Sequence, residues 1–287
     1  MARFTLSAFG DEIDQSLDVQ MDVLSRLGIR FIEMRGVDGR NISEVGKGDA
    51  AVIRKRLDAR SFGVSALGSP IGKISILQEF EPHLANLKQL LDVARELNTG
   101  YIRIFSFYMP EGADVSQHRD EAFRRMDAML KAARGTGVQL LHENESGIYG
   151  DTAVRCLELM ERFGGELLMT YDPSNFGNCG VDNKVALPML RKYVRYMHMK
   201  DSVNRGVTGH RDPGFRNVSD NHRPCGQGNC DVQWVLEQLR DSGFEGFLSV
   251  EPHLSSYAGV PGDGAAKFTV AAAAVKDLLH NIGADFA

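Results

Sequence analysis

Four side chains able to hold a metal ion stand at the ends of four apolar segments. Glu143 closes Val138-Gln-Leu-Leu-His-Glu143, Asp172 closes Leu167-Leu-Met-Thr-Tyr-Asp172, His198 closes Val194-Arg-Tyr-Met-His198, and Glu251 closes Phe247-Leu-Ser-Val-Glu251. If these are successive parallel strands, their last residues meet at one mouth of a barrel. A buried carboxylate without a partner is costly, and three facing one another repel. A divalent cation removes that conflict. One imidazole with three carboxylates is a hard, oxygen-rich donor set, suited to Mn²⁺, Mg²⁺ or Co²⁺ rather than to a thiolate-preferring ion. Taken singly, Glu143 reads equally well as a helix cap and His198 as a satisfied core histidine. Four such residues at consecutive strand ends do not.

The elements that must position them follow from the alternation of short apolar runs with amphipathic helical patterns, the mark of repeated βα units on a parallel sheet. Strands are predicted near 4–9, 29–34, 62–67, 101–106, 138–143, 167–172, 194–198 and 247–251. Eight is the number a closed (β/α)8 TIM barrel needs. Leu84, Leu87, Leu91, Ala94 and Leu97 fall on one helical face, as do Val232, Val235, Leu236 and Leu239. Asp151 or Thr152 is placed to cap one helix and Asp231 to open another, while Gly28, Gly137, Gly164 and Gly243 mark helix ends. No low-complexity linker interrupts the pattern, so residues 1–287 are expected to form a single α/β domain. The stretch 201–229 has no hydrophobic period and follows the seventh strand, which predicts a long active-site loop over the barrel mouth.

Alternation along the strands adds neighbours to the four. Leu141 and Gln139 share a face with Glu143, Thr170 with Asp172, Tyr196 and Lys200 with His198, and Ser249 with Glu251. Lys200 is therefore a candidate for the pocket, against the plainer reading of an orienting salt bridge with Asp201 or Glu251. Arg103 and Glu33 sit near the ends of earlier strands, to hold substrate hydroxyls or to close an internal ion pair, the latter favoured for Glu33. His142 precedes a candidate ligand and should point away from it, which leaves it the pocket wall or a partner of the ligands. In the loop, Arg205, His210, Arg211, His222 and Arg223 form a basic cluster, and Gly226-Gln-Gly228 lets backbone amides approach an anionic or hydroxyl-rich ligand.

A formal net charge of −5 argues against nucleic-acid binding, which requires many Lys and Arg facing phosphates. No stretch approaches the length of a membrane span. The opening residues read as a strand rather than as a signal peptide, so the expected location is the cytoplasm. There Cys156, Cys179, Cys225 and Cys230 need no pairing, and the spacing from Cys225 to Cys230 lacks the second half of a zinc site.

The segments His142-Glu-Asn-Glu145, Asp172-Pro-Ser-Asn175, His198-Met-Lys-Asp201 and Gly246-Phe-Leu-Ser-Val-Glu-Pro252 resemble the sugar phosphate isomerase/epimerase family with a xylose isomerase-like barrel. Phe9-Gly-Asp-Glu-Ile13 and Phe31-Ile-Glu-Met-Arg-Gly36 fit the same group. The resemblance implies one divalent metal on Glu143, Asp172, His198 and Glu251, Mn²⁺ first, with Mg²⁺, Co²⁺ or Zn²⁺ as alternatives. It also implies that Glu143 and Glu251 act as an acid/base pair on a ketose or keto-sugar, through a metal-stabilised enediolate. Lys200, Arg205, Asn175, His142 and Arg103 are then expected to contact a small sugar substrate, and a homodimer or homotetramer is in keeping with such barrels. The chain departs from ketose 3-epimerases at Asn175, where they carry His, and at Asn204-Arg205, which lies one residue further on than their Asn-Arg pair. The same apparatus serves a metal-dependent lyase or dehydratase of the inosose dehydratase or 3-keto-glycoside elimination type. A multinuclear zinc endonuclease fits poorly, given eight histidines in all and Asn at 175.

Overall fold

Eight parallel strands close on themselves: β1 (Arg3–Ala8), β2 (Phe31–Met34), β3 (Gly63–Gly68), β4 (Tyr101–Ile104), β5 (Gln139–Glu143), β6 (Leu167–Tyr171), β7 (Val194–Met199) and β8 (Glu245–Val250). Each neighbours the next in sequence, and β8 returns to β1 over six paired residues. This is the (β/α)8 barrel that the sequence predicts. The computed structural model describes residues 2–203, 221–254 and 260–287. Helices α1 (Leu17–Arg26), α2 (Lys47–Asp58), α3 (Glu81–Glu96), α4 (Arg119–Ala133), α5 (Ala153–Phe163), α6 (Pro173–Asn178), α7 (Asn183–Leu190), α8 (Val232–Asp241) and α9 (Gly264–Asn281) lie between and after the strands.

The period of two divides each strand between two cores. Outward residues such as Phe4, Leu6, Ile32, Leu140, Met197 and Leu248 are buried beneath the helices. The predicted helix faces meet them: Leu87, Leu91 and Ala94 on α3 and Val235, Leu236 and Leu239 on α8 are at most 3% exposed. Inward residues stack in layers, as in other barrels of this type. Phe31 and Phe247 meet edge to face near the floor, with ring centroids 5.0 Å apart. Above them Ala66, Leu141 and Tyr196 form a small separate core. Hydroxyls share that layer: Ser65 Oγ lies 2.6 Å from Ser7 Oγ and 2.8 Å from Tyr196 Oη. A register irregularity after Ile32 sets Glu33 opposite Ala66, and so lifts Glu33 into the uppermost layer.

That top layer holds the charged residues. Glu143 is the last residue of β5, and His198 sits one residue before the end of β7. Asp172 and Glu251 lie one residue beyond β6 and β8, a small departure from the predicted strand ends. The cause at Asp172 is local: its side chain accepts the Asn175 N–H at 2.9 Å and caps α6, with Pro173 at the first helical position, so the chain leaves the ladder there. Thr152 caps α5 in the same manner, and Asp231 precedes α8 in a left-handed conformation without a side-chain cap. Two short antiparallel pairs at the mouth were not predicted, Gly36–Val37 with Arg40–Asn41 and Asp201–Ser202 with His222–Arg223. Among the described residues no disulfide forms; Cys230 Sγ meets Ser202 Oγ at 3.3 Å.

Candidate metal centre

His198 projects from β7 into the barrel with no exposed surface. Phe9 and Tyr196 pack edge-on against its ring, with centroids at 5.2 and 6.0 Å. Its Nδ1 lies 3.0 Å from Glu251 Oε2, 3.2 Å from Glu143 Oε1 and 3.9 Å from Asp172 Oδ2. Yet none of these oxygens is in line for a hydrogen bond, and Nδ1 is left without one among the described residues. One donor atom from each of the four residues lies within 4.8 Å of the others. For bonds of about 2.1 Å, donors at right angles stand about 3.0 Å apart and opposed donors about 4.2 Å. The separations of 3.0, 3.2 and 3.9 Å from Nδ1 fall within the range that ligands of one ion take.

The second atom of each residue is held from outside. Arg103 Nη1 donates to Glu143 Oε2 at 2.7 Å, the Asn175 N–H to Asp172 Oδ1 at 2.9 Å, and Arg35 Nη1 to Glu251 Oε1 at 3.3 Å. His253 Nε2 also meets Glu251 Oε1 at 3.3 Å. His198 Nε2 faces both oxygens of Glu33, at 3.1 and 3.2 Å. Lys200 Nζ touches the inward atoms themselves, 2.7 Å from Asp172 Oδ2 and 3.3 Å from Glu251 Oε2. Asn175 Nδ2 donates to Glu143 Oε1 and to the Asn144 carbonyl, each at 2.9 Å.

The electrostatics point the same way. Burial drives the Asp172 carboxyl up to about 6 against the pull of Lys200, and the nearby Glu143 and Glu251 add to the rise. Burial also pushes Glu143 up, but His198 and Arg103 outweigh it and hold that carboxyl below its ordinary range. For Glu251 the opposing pulls come from Lys200 and His198, with the same result. Of the three carboxyls, Asp172 alone is left above its ordinary range by the neighbouring cations. Around the centre Glu33, Glu143, Asp172 and Glu251 carry negative charge and Arg103 and Lys200 positive charge, all at most 5% exposed. Burial opposes charge on His198, but Glu143, Glu33 and Glu251 outweigh it and raise the imidazole well above its ordinary range; a divalent ion in place of that proton would bring the buried set to neutrality. The residues fit the group.

A cavity of about 230 Å³ opens beside the four, walled by Arg35, Lys73, Arg103, Phe105 and Lys200 with Glu143 and Glu251 at its base. It is smaller than the roughly 300–1,000 Å³ of drug-sized sites and suits one small polar molecule. A larger groove of about 410 Å³ adjoins it across Pro70 and Lys73 but holds no cluster of candidate ligands.

Of the residues singled out in the sequence, Arg103, Lys200, Asn175 and Glu33 join the four. His142 does not. It faces out of the barrel, as alternation requires, where Nε2 meets Ser106 Oγ at 2.9 Å and an added Cβ on Gly150 would strike the ring at 2.4 Å. Burial lowers its pKa to about 4. The expectation of a substrate contact there gives way to a packing role. Arg205, His210 and Arg211 lie outside the described residues. Gly226 and Gly228 do present their amides to an anion, but it is the chain's own: Asp201 accepts from Gly226 at 2.8 Å, Gly228 at 3.0 Å and Cys230 at 3.2 Å. A Cβ on Gly228 would fall 2.1 Å from Asp201 Oδ1, so this turn is shaped around that carboxylate and its amides are committed to it. Arg35 and His253 were not singled out. The signal was present, since each lies two residues past an inward acid, Glu33 and Glu251.

Similarity to known proteins agrees with the fold. An uncharacterized protein of Methanocaldococcus jannaschii is 23% identical over 171 residues, which cover 58% of this chain and 55% of that protein. The chain thus spans about half the length of that curated relative. Among solved structures, the IolI protein with a bound zinc atom superposes with a TM-score of 0.76 at 16% identity, over 98% of this chain and 99% of that one. An L-ribulose 3-epimerase does so with a TM-score of 0.73 at 17% identity, over 99% and 96%. At such identities the likeness is one of fold. The sequence profile of the xylose isomerase-like TIM barrel matches residues 21–274, nearly the whole of the closed barrel and all four candidate ligands, and to that family this chain belongs.

Proposed function

We propose that this protein is a divalent-metal-dependent isomerase or epimerase of a ketose or keto-sugar. The observation that carries the reading is the convergence of one inward donor atom each from Glu143, Asp172, His198 and Glu251 beside a small polar cavity. These four residues would hold the ion, with Mn²⁺ the best match to the oxygen-rich set. Bound there, such an ion would supply Lewis-acid stabilisation of negative charge developing on the substrate.

The chain's own groups do the rest. Glu143 and Glu251 come from β5 and from the end of β8, with β6 and β7 between them, so their carboxylates reach the cavity from different sides. One takes the proton from the carbon beside the carbonyl and the other returns it; where it returns decides between inversion and isomerisation. Arg103 and Lys200 orient substrate hydroxyls from the cavity wall, and Asn175 steadies Glu143 with a neutral donor; Arg205, outside the described residues, is proposed as a further substrate contact. Likeness of fold to an L-ribulose 3-epimerase supports the substrate class.

Deuterium exchange from D2O into a panel of ketoses, followed by NMR with Mn²⁺ present, tests this directly. Glu143→Gln and Glu251→Gln, made separately, are expected to lose about 10²–10⁴-fold in exchange rate while still binding the sugar. Unchanged exchange in both variants would remove the acid/base assignment. A product lighter by water or an aglycone would move the same centre to the lyase alternative.

A further inference from the structure

We infer that Glu33 is a positioning residue for the metal centre: through His198 Nε2 it fixes the imidazole so that Nδ1, and not Nε2, is the donor turned to the ion. The inference rests on the reading of the four residues as a metal site. Both Glu33 oxygens lie within 3.2 Å of His198 Nε2, and neither residue has any exposed surface. A carboxylate accepts but cannot donate, so this nitrogen must carry a proton. The other nitrogen then keeps its lone pair for the centre whenever the ring is neutral.

Other roles for Glu33 fit less well. It is not among the four residues whose atoms cluster, and it does not line the cavity, so it is neither a ligand nor a substrate contact. Its hydrogen bonds run to His198, whereas Arg103 bonds to Glu143. The ring plane is already set by Phe9 and Tyr196. What Glu33 adds is the placement of the proton and a negative charge on the far nitrogen, which makes Nδ1 the stronger donor. It does so from across the barrel, because β1 and β8 separate β2 from β7.

The test compares Mn²⁺ dissociation constants of the parent, Glu33→Gln and Glu33→Asp, measured by EPR titration on protein shown folded by circular dichroism. Loss of such an outer partner weakens metal binding by about 10–100-fold, and that is expected for Glu33→Gln, which keeps the shape and removes the charge. If Glu33→Gln does not fold, Glu33→Asp, which withdraws the carboxylate by one methylene, is expected to show the same direction. The route is tested by repeating Glu33→Gln in a His198→Gln background, where a device acting through the imidazole no longer changes Mn²⁺ affinity. Equal affinity in the parent and Glu33→Gln overturns the inference, as does an undiminished effect in the His198→Gln background. A parent that binds no Mn²⁺ overturns the metal reading and this inference together.

Discussion

At the scale of single residues, the centre is made by pairing each ligand's far atom so that only the near atom is left to turn inward. Arg103 is the clearest case. Its guanidinium carbon lies over the Phe105 ring, 4.5 Å from the centroid, and it binds Glu143 Oε2 at 2.7 Å with side chains only 6% and 2% exposed. A buried pair of this kind adds little relative to two apolar residues, but removing one partner strands the other charge and costs about 3–5 kcal/mol. Arg103→Ala is therefore expected to lose stability in that range, whereas Arg103→Lys recovers part of it by keeping the charge without the planar fork. Urea unfolding at neutral pH measures both. A loss under about 1 kcal/mol for Arg103→Ala, the scale of an exposed pair, would show that Glu143 does not depend on this partner. Asn175 illustrates the other economy at this scale. Its side chain is an amide that donates to Glu143 and cannot take up a proton.

At the scale of elements, the joint between α3 and the loop after β3 depends on an imidazole held neutral. His83, in the first turn of α3, accepts the Gly72 N–H at Nε2 over 2.6 Å. Burial, reinforced by Arg125, holds its pKa below the usual 6.5. The unfolded chain takes up this proton near pH 6.5 while the folded chain still refuses it, so the contribution to stability is complete above that pH and declines as pH falls below it. His83→Gln keeps an uncharged acceptor, and it is expected to lose less stability than the parent between pH 7 and pH 5. Equal losses in urea unfolding at the two pH values would exclude the joint as a source of acid sensitivity. The elements themselves were largely legible in the sequence. Strand starts and ends fall within two residues of those read from alternation, because a barrel strand must show helices one face and the interior the other. The same rule turned Glu143 and His198 inward and His142 outward. Two-residue ladders such as Asp201–Ser202 with His222–Arg223 have no period to read, and hence went unseen. The pairing of Glu33 with His198 joins positions 165 residues apart on strands that do not touch, a distance no local pattern spans. Gly226-Gln-Gly228 reads in the sequence as a turn for an outside ligand, whereas its amides go to Asp201, a partner that spacing alone does not disclose.

At the scale of the molecule, the four candidate ligands come from β5, β6, β7 and β8 or their ends, half of the closed sheet. They lie far apart in the chain, so the donor set exists only when the barrel is closed, and an ion that binds it favours the folded state alone. Linkage then makes the gain calculable: free Mn²⁺ at about a hundred times its dissociation constant adds about 2.7 kcal/mol. For a domain of this length each kcal/mol moves the thermal midpoint by about 2 °C. Protein stripped with EDTA and scanned by calorimetry is thus expected to rise by about 5 °C on addition of Mn²⁺, and a His198→Gln variant by much less. Charge balance sharpens the expectation, since a divalent ion neutralises the buried set and a monovalent one leaves it negative. Na⁺ at matched ionic strength should therefore leave the midpoint where EDTA put it. Were Mn²⁺, Mg²⁺, Co²⁺ and Zn²⁺ all without effect, the raised carboxyl of Asp172 and the unpartnered Nδ1 of His198 would have to be satisfied by Lys200 and water. The barrel would stand, and the chemistry assigned to its mouth would not.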